Sequence, residues 1–524
     1  MGNHYPSRRR GGRRVLVTTG RQRRILRPTV RLLHRRESTY CSRWQGSGLQ
    51  AVLALVVALG LSGPVVAGEP AQAHGKPNIV VIVADDLGFA DVGFNGAEDV
   101  LTPHIDDLAA AGTRFESLYV QPFCTPTRAA FMTGRYPIRY GLQTFVITPG
   151  QTYGLPHSER TLASALQDVG YKTYIIGKWH LGHADQSFWP QNRGFDYFYG
   201  TTLGEVDFYT KERAGSVDWQ RNGALLDEQG YFTDQLTRDA VRIIEQQSTD
   251  KPFFLYLPHL AVHAPYQAPQ HYIDRVSGIE DETRRVYAAM AAALDDSVGE
   301  VIAALERKGL RDNTLLLFFS DNGGIAEYDA AAAMAKGDKP APADNSPFRG
   351  SKGGLYEGGV RSAAFINWPG RIEPGAIAEM VHVVDFFPTL VKLSSGSVES
   401  ENALDGKDIW PVITGDAPSP HADILINAEI HRGAVRKGRW KLVKNAALPS
   451  SNELYDLESD VAERENLAHK HPEKVKELED VLNGYAEESK PALFLHAYMP
   501  FVRKHFASAA LAYDGDKNDG QAEE

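Results

Sequence analysis

The sequence predicts an α/β fold: a mixed β-sheet sandwiched by helices, followed by a smaller C-terminal α+β domain. From residue 76 onward, short apolar runs alternate with segments of helical periodicity, which is the pattern of a sheet covered by helices. After Trp410 the pattern changes to consecutive strand-like segments and one helix. The chain has 524 residues, more than one ordinary domain, so one large and one small domain are expected.

The first predicted strand is residues 78–84, a continuous run rich in β-branched residues that is typical of a strand buried on both faces. The other strands predicted for the large domain are 172–177, 252–257 and 314–320. Its predicted helices are 102–112, 158–170 and 285–308. The first two have a start signal, Thr102-Pro103 and Ser158. All three have a glycine as the stop signal: Gly112, Gly170 and Gly309.

The predicted domains are a basic N-terminal extension with a signal peptide, a large domain, a small domain and a polar tail: 1–73, 74–415, 416–510 and 511–524. In the small domain, 423–430 and 434–444 resemble antiparallel strands, and a helix is predicted near 472–487. Residues 329–345, rich in Ala, Lys and Pro, are predicted to form a mobile loop.

The N-terminal extension predicts export. Residues 1–48 hold thirteen arginines and one acidic residue, and an apolar run at 49–61 is followed by Pro64 and small residues. This arrangement is typical of a signal peptide, cleaved after Ala67 or Ala73. The alternative, a membrane anchor, needs about 20 apolar residues, so no stable membrane span is expected and the protein is predicted to be periplasmic or secreted.

The net charge and the cysteine content limit the classes of function that the mature chain can have. Residues 1–73 hold thirteen arginines and two acidic residues, so their removal takes the net charge from −10 to about −21, which excludes a non-specific nucleic-acid binder. Of the two cysteines, Cys41 lies in the segment expected to be removed. Cys124 therefore has no disulfide partner, and is either a small buried side chain or a reactive centre.

Polar side chains follow four predicted strands where each strand ends. They are Asp85, Asp86, Lys178, His180, His263, Asp321 and Asn322. Each pair alone has an ordinary explanation as a helix cap or a turn. In open α/β sheets, however, ligands bind outside the carboxyl ends of the strands, and the repetition at one edge favours a site. The hard oxygen ligands among these side chains suit Ca²⁺ or Mg²⁺ and not zinc.

Residues 124–128 read Cys-Thr-Pro-Thr-Arg, and Thr-Gly-Arg follows at 133–135. This resembles the C-x-P-x-R signature of the type I sulfatases, whose fold is alkaline-phosphatase-like. The resemblance covers nearly the whole mature chain, through 177–182, 321–324, 349–352, 357–361, 441–442 and 453–457. Within the family it resembles arylsulfatase B-like enzymes, through 135–143 and 193–196. Val461 stands where many members have proline.

The resemblance implies that a maturation enzyme oxidises Cys124 to formylglycine. One hydroxyl of its hydrate would attack sulfur, and the second would allow sulfate to be ejected. It also implies one divalent cation, Ca²⁺ or Mg²⁺, held by Asp85, Asp86, Cys124, Asp321 and Asn322. The implied roles of the others are sulfate binding by Lys178, His263 and Lys352, orientation of the diol by Arg128, and proton transfer by Asp321, His263 and His180.

The predicted function is therefore hydrolysis of sulfate esters. The substrates would be aryl sulfates in vitro and a sulfated sugar, such as N-acetylgalactosamine 4-sulfate, in nature. Two alternatives stay open: a phosphate mono- or diester hydrolase of the same superfamily, and a non-catalytic carbohydrate-binding relative. Every expected catalytic position is filled, which argues against the second alternative.

Overall fold

The structure is a computed structural model that describes residues 75–326, 341–446 and 450–498. The predicted N-terminal extension, the polar tail and residues 329–340 of the predicted loop lie outside the described residues. Among the described residues, no helix combines the length and apolar character needed to cross a bilayer.

The β-strands, numbered along the chain, are β1 Asn78–Ala84, β2 Thr113–Phe115, β3 Leu118–Tyr119, β4 Lys172–Lys178, β5 Tyr197–Thr201, β6 Glu212–Arg213, β7 Ser216–Val217, β8 Gln220–Arg221, β9 Ala224–Leu225, β10 Phe253–Pro258, β11 Thr314–Ser320, β12 Ala364–Asn367, β13 Gly375–Ile377, β14 Val381–His382, β15 Ile424–Ala428, β16 Arg432–Lys437, β17 Trp440–Asn445 and β18 Ser451–Asp456. The α-helices are α1 Pro103–Ala110, α2 Cys124–Thr133, α3 Leu162–Gln167, α4 Phe232–Glu245, α5 Gln270–Arg275, α6 Glu282–Arg307, α7 Glu357–Val360, α8 Phe386–Leu393, α9 Trp410–Ile413 and α10 Pro472–Glu487.

The main sheet has ten strands in the order β13-β2-β12-β11-β1-β10-β4-β5-β8-β9. Its centre is parallel, because β1 pairs in parallel with both β10 and β11, and β4 pairs in parallel with β10 and β5. Antiparallel strands join on both sides, through β12 next to β11 and β8 next to β5. The predicted fold class, a mixed sheet flanked by helices with a small C-terminal sheet domain, is confirmed.

Helices cover both faces of this sheet, and β1 shows why. Its residues alternate between two apolar clusters: Ile79 and Val81 pack on the side of α2, α3 and α8, while Val80 and Ile82 pack on the side of α4 and α6. All four are fully buried. Each such side chain contributes about 1.5–3 kcal/mol to folding, so a strand that is apolar at every position is fixed at the centre of the sheet.

Several predicted boundaries are corrected by local interactions. The helix predicted from residue 158 starts only at Leu162, because the Thr161 side chain accepts the N-terminal hydrogen bond from the Ser164 amide. The segment 434–444 is not one strand but the hairpin of β16 and β17, which turns at Gly438 in the left-handed region, φ 57°. Strand β18 was not predicted, and it completes a four-stranded antiparallel sheet with β15, β16 and β17.

A buried ionic network connects the C-terminal sheet to α7. The Lys441 ammonium on β17 lies 2.9 Å from the Glu357 carboxylate and 2.8 Å from that of Glu463. The Glu463 carboxylate also accepts a hydrogen bond from the Glu357 amide at 2.6 Å. Arg361 also pairs with Glu357, at 3.0 Å, so Glu463 shares Lys441 with a carboxylate that has a second cation. Burial, together with the charge of Glu357, raises the pKa of Glu463 to about 7 although Lys441 opposes the shift.

This shift predicts a pH-dependent stability. The folded state holds the Glu463 proton more tightly than the unfolded state, so this carboxyl stabilises the fold at low pH and loses that contribution as pH rises from about 4.5 to 7. Glu463→Gln mimics the neutral form, and its free energy of unfolding relative to wild type should rise over this window, by up to about 3 kcal/mol. Urea unfolding at several pH values measures this. Parallel curves for the two proteins would contradict it, and Glu458→Gln, at an exposed carboxylate, is the control.

Candidate active site

The predicted polar residues meet at one edge of the main sheet. The strands β4, β10, β1 and β11 are parallel neighbours, so their carboxyl ends lie side by side. Asp85 and Asp86 follow β1, Lys178 ends β4, and Asp321 follows β11. All four are buried. A cleft at these ends is where α/β sheets bind ligands.

Cys124 is the first residue of α2 and is 1% exposed. Its Sγ lies 3.4 Å from Asp85 Oδ1 and 3.4 Å from Lys352 Nζ. It is the one free cysteine among the described residues. Burial, with Asp321 nearby, raises the pKa of the thiol in spite of Lys178 and Lys352. As a cysteine, the residue is a poor nucleophile, because the thiolate is the reactive form.

Three carboxylates and three cations form ion pairs around Cys124. Lys178 Nζ lies 2.5 Å from Asp85 Oδ2, and Lys352 Nζ lies 2.8 Å from Asp86 Oδ2. Arg128 donates two hydrogen bonds to Asp321 Oδ2, at 2.9 and 2.8 Å. Buried ions are tolerated only when paired, and here the formal charges balance.

Arg128 ties the nucleophile helix to the strand ends. It lies one helical turn after Cys124, and besides Asp321 it donates to the carbonyl of Lys178 at 3.0 Å. Its guanidinium also comes within 3.6 Å of Asp85. Burial alone would raise the pKa of Asp321, but Arg128 and Lys178 reverse the direction and lower it. The guanidinium therefore keeps this carboxylate charged.

The two predicted histidines occupy different environments. His180 adopts a left-handed backbone, φ 58°, and its Nε2 lies 3.1 Å from the carbonyl of Ile147. Its Nδ1 is buried with no hydrogen-bond partner among the described residues, and burial with the charge of Lys178 lowers its pKa. His263 Nδ1 donates to the Ala264 carbonyl at 2.5 Å, and its Nε2 lies 3.6 Å from Asp86 Oδ2. His180 is thus a neutral imidazole, and His263 faces the carboxylates.

The donor atoms at this edge suit a metal ion. Asp85, Asp86, Cys124 and His263 each offer a ligand atom, and these atoms lie within 4.8 Å of one another. Asn322 Oδ1 is buried without a hydrogen-bond partner among the described residues, although its Nδ2 donates to Asp86 Oδ1 at 2.8 Å. A buried, unpaired carbonyl oxygen beside two carboxylates fits a hard cation. The cluster also brings the ring of His263 beside three of the predicted ligands.

Asp321, also predicted as a ligand, is not in that cluster of four. Its Oδ2 accepts from Arg128, and its Oδ1 accepts from the Asp86 amide at 3.3 Å. The sequence places Asp321 at the correct edge but does not reveal that Arg128 engages one of its oxygens.

Sequence reasoning missed Asn345, which lies in the predicted mobile loop 329–345. The structure buries it, at 2% exposure. Its Oδ1 accepts from the Gly324 amide at 3.0 Å, and its Nδ2 donates to the carbonyls of Gly324 and Gly350 at 2.9 and 3.1 Å. One side chain thus joins the loop that carries Asp321 to the loop that carries Lys352. An isolated Asn in a polar, Pro-rich stretch gives no signal of this role.

We expect Asn345→Ala to lower kcat by about 10–100-fold with a small change in KM, because displacing a site by about 1 Å costs that much. Calcium titration of the purified variant should show a parallel loss of affinity of about 10-fold or more. Asn345→Asp, which keeps the acceptor for the Gly324 amide, should lie between the variant and wild type. Asn483→Ala, at an exposed asparagine of α10, is the control. A variant that is merely less stable, with unchanged kcat and calcium affinity, would contradict this positioning role.

Comparison with known proteins decides the family. Residues 77–397 match the Sulfatase family, and residues 351–488 match the family described as N-sulphoglucosamine sulphohydrolase, C-terminal. The chain belongs to the sulfatase family. Sulfatases are sulfuric ester hydrolases, so the predicted family and enzyme class are confirmed.

This sulfatase is 39% identical to mouse Arylsulfatase J, over 70% of its own chain and 60% of the relative's. It is 34% identical to mouse N-acetylgalactosamine-6-sulfatase, over 70% of each chain. Among solved structures, Ps i-CgsB in complex with k-i-k-neocarrahexaose matches with a TM-score of 0.73 and 31% identity, covering 82% of this chain and 99% of the other. The narrower resemblance to arylsulfatase B-like enzymes stays a prediction.

Proposed function

We propose that this sulfatase hydrolyses the sulfate esters of sugars, with a nucleophile made from Cys124. The observation that carries the proposal is the position of Cys124, which opens α2 within 3.4 Å of both Asp85 and Lys352. The sulfate group is an anion whose oxygens gain charge as the ester breaks. Lys178 and Lys352 also lie at this edge of the sheet, each paired with a carboxylate. Together with His263, they would bind the sulfate oxygens.

Two groups complete the site. A divalent cation, Ca²⁺ in preference to Mg²⁺, would be held by Asp85, Asp86, Asp321, Asn322 and residue 124, and would supply positive charge beside the nucleophile. A maturation enzyme would convert Cys124 to formylglycine, whose hydrate supplies one hydroxyl for attack and a second for release of sulfate.

The side chains of this protein then have distinct tasks. Arg128 orients residue 124 and keeps Asp321 charged, so Asp321 can accept a proton from the attacking hydroxyl. His263, whose Nε2 lies 3.6 Å from Asp86 Oδ2, can give a proton to the leaving oxygen. His180 is held neutral by burial and by Lys178, so it can accept the proton of the second hydroxyl. A neutral imidazole is the form required of a general base.

The proposed substrate is a sulfated sugar, such as an N-acetylgalactosamine 4-sulfate unit. One relative is named as an N-acetylgalactosamine-6-sulfatase, and a similar structure was solved with a neocarrahexaose. The acidic mature chain would repel a long polyanion at low salt, so a short oligosaccharide or a chain end fits better. Export to the periplasm or medium, predicted from residues 49–73, would place the enzyme with such substrates.

A substrate panel tests this proposal. Nitrophenyl sulfate should be hydrolysed much faster than nitrophenyl phosphate, and at least one defined sulfated oligosaccharide should release sulfate with a higher kcat/KM than the aryl ester. Ion chromatography of the released anion measures both. Faster hydrolysis of the phosphate ester would favour the phosphatase alternative, and activity on aryl sulfates alone would contradict the sugar assignment.

A further inference from the structure

The backbone of His180 is held by the end of the neighbouring strand. Strand β5 ends at Thr201, which lies beside Lys178, the last residue of β4. The amide of Trp179 donates to the carbonyl of Thr201 at 2.9 Å, and the amide of His180 donates to that of Thr202 at 3.2 Å. Thr201 and Thr202 therefore fix the piece of backbone that carries the His180 ring.

The ring of His180 lies against the same segment, two residues further on. A Cβ added at Gly204 would overlap the imidazole at Cε1 and Nε2, so any side chain there would displace the ring. His180 Nε2 lies 3.1 Å from the carbonyl of Ile147. Because a carbonyl only accepts hydrogen bonds, Nε2 carries the proton of the neutral ring and Nδ1 carries the lone pair. The position of the basic nitrogen thus depends on Gly204.

One carboxylate oxygen holds this segment in place. Asp218 Oδ2 accepts hydrogen bonds from the hydroxyls of Thr201 and Thr202, at 2.7 and 3.0 Å, and from the amide of Leu203 at 2.7 Å. Hydrogen bonds to a charged acceptor are the stronger kind. The three donors belong to the residues immediately before Gly204, so Asp218 holds both the backbone and the ring of His180.

Asp218 is itself well anchored. It is 8% exposed, and its amide donates to the carbonyl of Lys211 at 3.0 Å. The Lys211 side chain is buried, and its Nζ donates to the carbonyls of Tyr209 at 2.9 Å and Gly230 at 2.5 Å. The carboxylate of Asp218 is therefore a fixed point from which the segment 201–204 is held.

We propose that Asp218 is a positioning residue for the release of sulfate, because it holds the segment 201–204 and through it the ring of His180. The inference deepens the proposed function and rests on it. In the release step, the second hydroxyl gives its proton to His180 Nδ1 as the bond between carbon and the sulfate oxygen breaks. The electron pair of that bond leaves with sulfate, and the deprotonated oxygen forms the carbonyl of the aldehyde. A displaced imidazole slows this proton transfer, whereas the attack on sulfur uses other side chains.

The kinetics of the first turnover separate attack from release. Asp218→Ala should leave the first release of nitrophenol from nitrophenyl sulfate within about twofold of wild type and lower steady-state turnover about 10–100-fold. A burst of nitrophenol then precedes the slow phase, and radiolabelled sulfate from the substrate stays on the protein during rapid gel filtration. Gly204→Ala, which displaces the ring directly, should give the same burst.

The conservative variant Asp218→Asn should recover most of the turnover. Its amide oxygen can accept the same three hydrogen bonds, although more weakly because it is uncharged. Its amide nitrogen can donate to Gln220, whose Nε2 lies 3.3 Å from Asp218 Oδ1 and whose Oε1 is buried without a hydrogen-bond partner among the described residues. Rotation of the Gln220 amide is enough to present that oxygen.

The matched control is Asp196→Ala, at the opposite end of β5. Asp196 also accepts three hydrogen bonds, from the Thr173 amide, Thr173 Oγ1 and Gln167 Nε2, at 3.0, 3.3 and 2.8 Å. This variant should show no burst. Equal losses in the first turnover and the steady state of Asp218→Ala, or unchanged kinetics, would overturn the proposal. A thermal melt identifies loss of folding, and in that case Gly204→Ala and Thr202→Val, which removes one of the three bonds, decide the question.

A measurement without turnover distinguishes this inference from the proposed function. In the Cys124→Ala background, with histidine isotope-labelled at Cε1, NMR should show a His180 signal that is identified by its absence in His180→Gln. Adding Asp218→Ala should shift or split this signal, and adding Asp196→Ala should leave it unchanged. A shifted signal in a protein whose unmutated form releases no sulfate would refute the proposed function but retain the positioning role. An unchanged signal in an active sulfatase would refute the positioning role alone.

Discussion

Cys124→Ala should lower turnover of sulfate esters by about a thousandfold or more, because the covalent route disappears while the surrounding cations remain. The structure supports a local effect, since Cys124 Sγ lies 3.4 Å from Asp85 and from Lys352 and the side chain is almost fully buried. Removal of one sulfur atom leaves the ion pairs of Lys178 and Arg128 in place, so the variant should fold.

Two further measurements examine the same residue. Mass spectrometry of the active wild-type enzyme should find the peptide that contains residue 124 lighter than the cysteine form by about 18 Da, as expected for the unhydrated aldehyde used in covalent catalysis. Cys124→Ser should accept sulfate once and then stall, because a serine ester has no second hydroxyl to eject it. Fully active protein with an unmodified thiol, or near-normal turnover in Cys124→Ala, would refute the mechanism. Met132→Leu, a conservative change elsewhere in α2, is the control.

The sequence was sufficient to predict which residues lie at the site edge of the sheet, because apolar strand segments and their direction along the chain determine that edge. Residues 78–84 and 314–320 are apolar at nearly every position, and only a strand covered on both faces requires that. Once those strands are parallel, the polar residues after each one must share an edge. The positions of Asp85, Asp86 and Asp321 follow from chain direction and strand length alone.

Pairing within the site could not be predicted in the same way. Arg128 bonds to Asp321 across 193 residues, and Lys352 to Asp86 across 266, so these contacts depend on how the helices and loops pack. Asn345 was missed for the same reason, since its partners Gly324 and Gly350 are backbone groups with no side-chain signature. The hairpin at Gly438 was missed although its turn has a sequence signal: Gly438 stands among the charged residues Arg436, Lys437 and Arg439, which interrupt the apolar pattern.

Asp321→Ala should abolish tight binding of the metal. The purified wild-type enzyme is expected to hold about one equivalent of Ca²⁺ per chain, as elemental analysis would show, because oxygen ligands in a buried cluster favour this ion. Loss of Asp321 removes one oxygen donor. It also leaves Arg128, 3.6 Å from Asp85, without the carboxylate oxygen that accepts two of its hydrogen bonds. The guanidinium would then compete with the ion for Asp85, so we expect calcium affinity to fall by about 100-fold or more and turnover to fall with it.

The second acidic cluster offers the control for this experiment. His104, Asp295 and Asp296 also bring three ligand atoms within 4.8 Å of one another, but they lie on α6 and the first turns of α1, and Asp295 already accepts hydrogen bonds from the amides of His104 and Ile105. Asp296→Ala should keep the full equivalent of calcium and normal turnover.

If calcium is lost in Asp296→Ala and kept in Asp321→Ala, the metal binds at the second cluster and the proposed site is refuted. Two zinc ions per chain would instead indicate a phosphatase-type centre. Calcium lost only in Asp321→Ala would place the ion beside Cys124, where its charge can act on the sulfate ester.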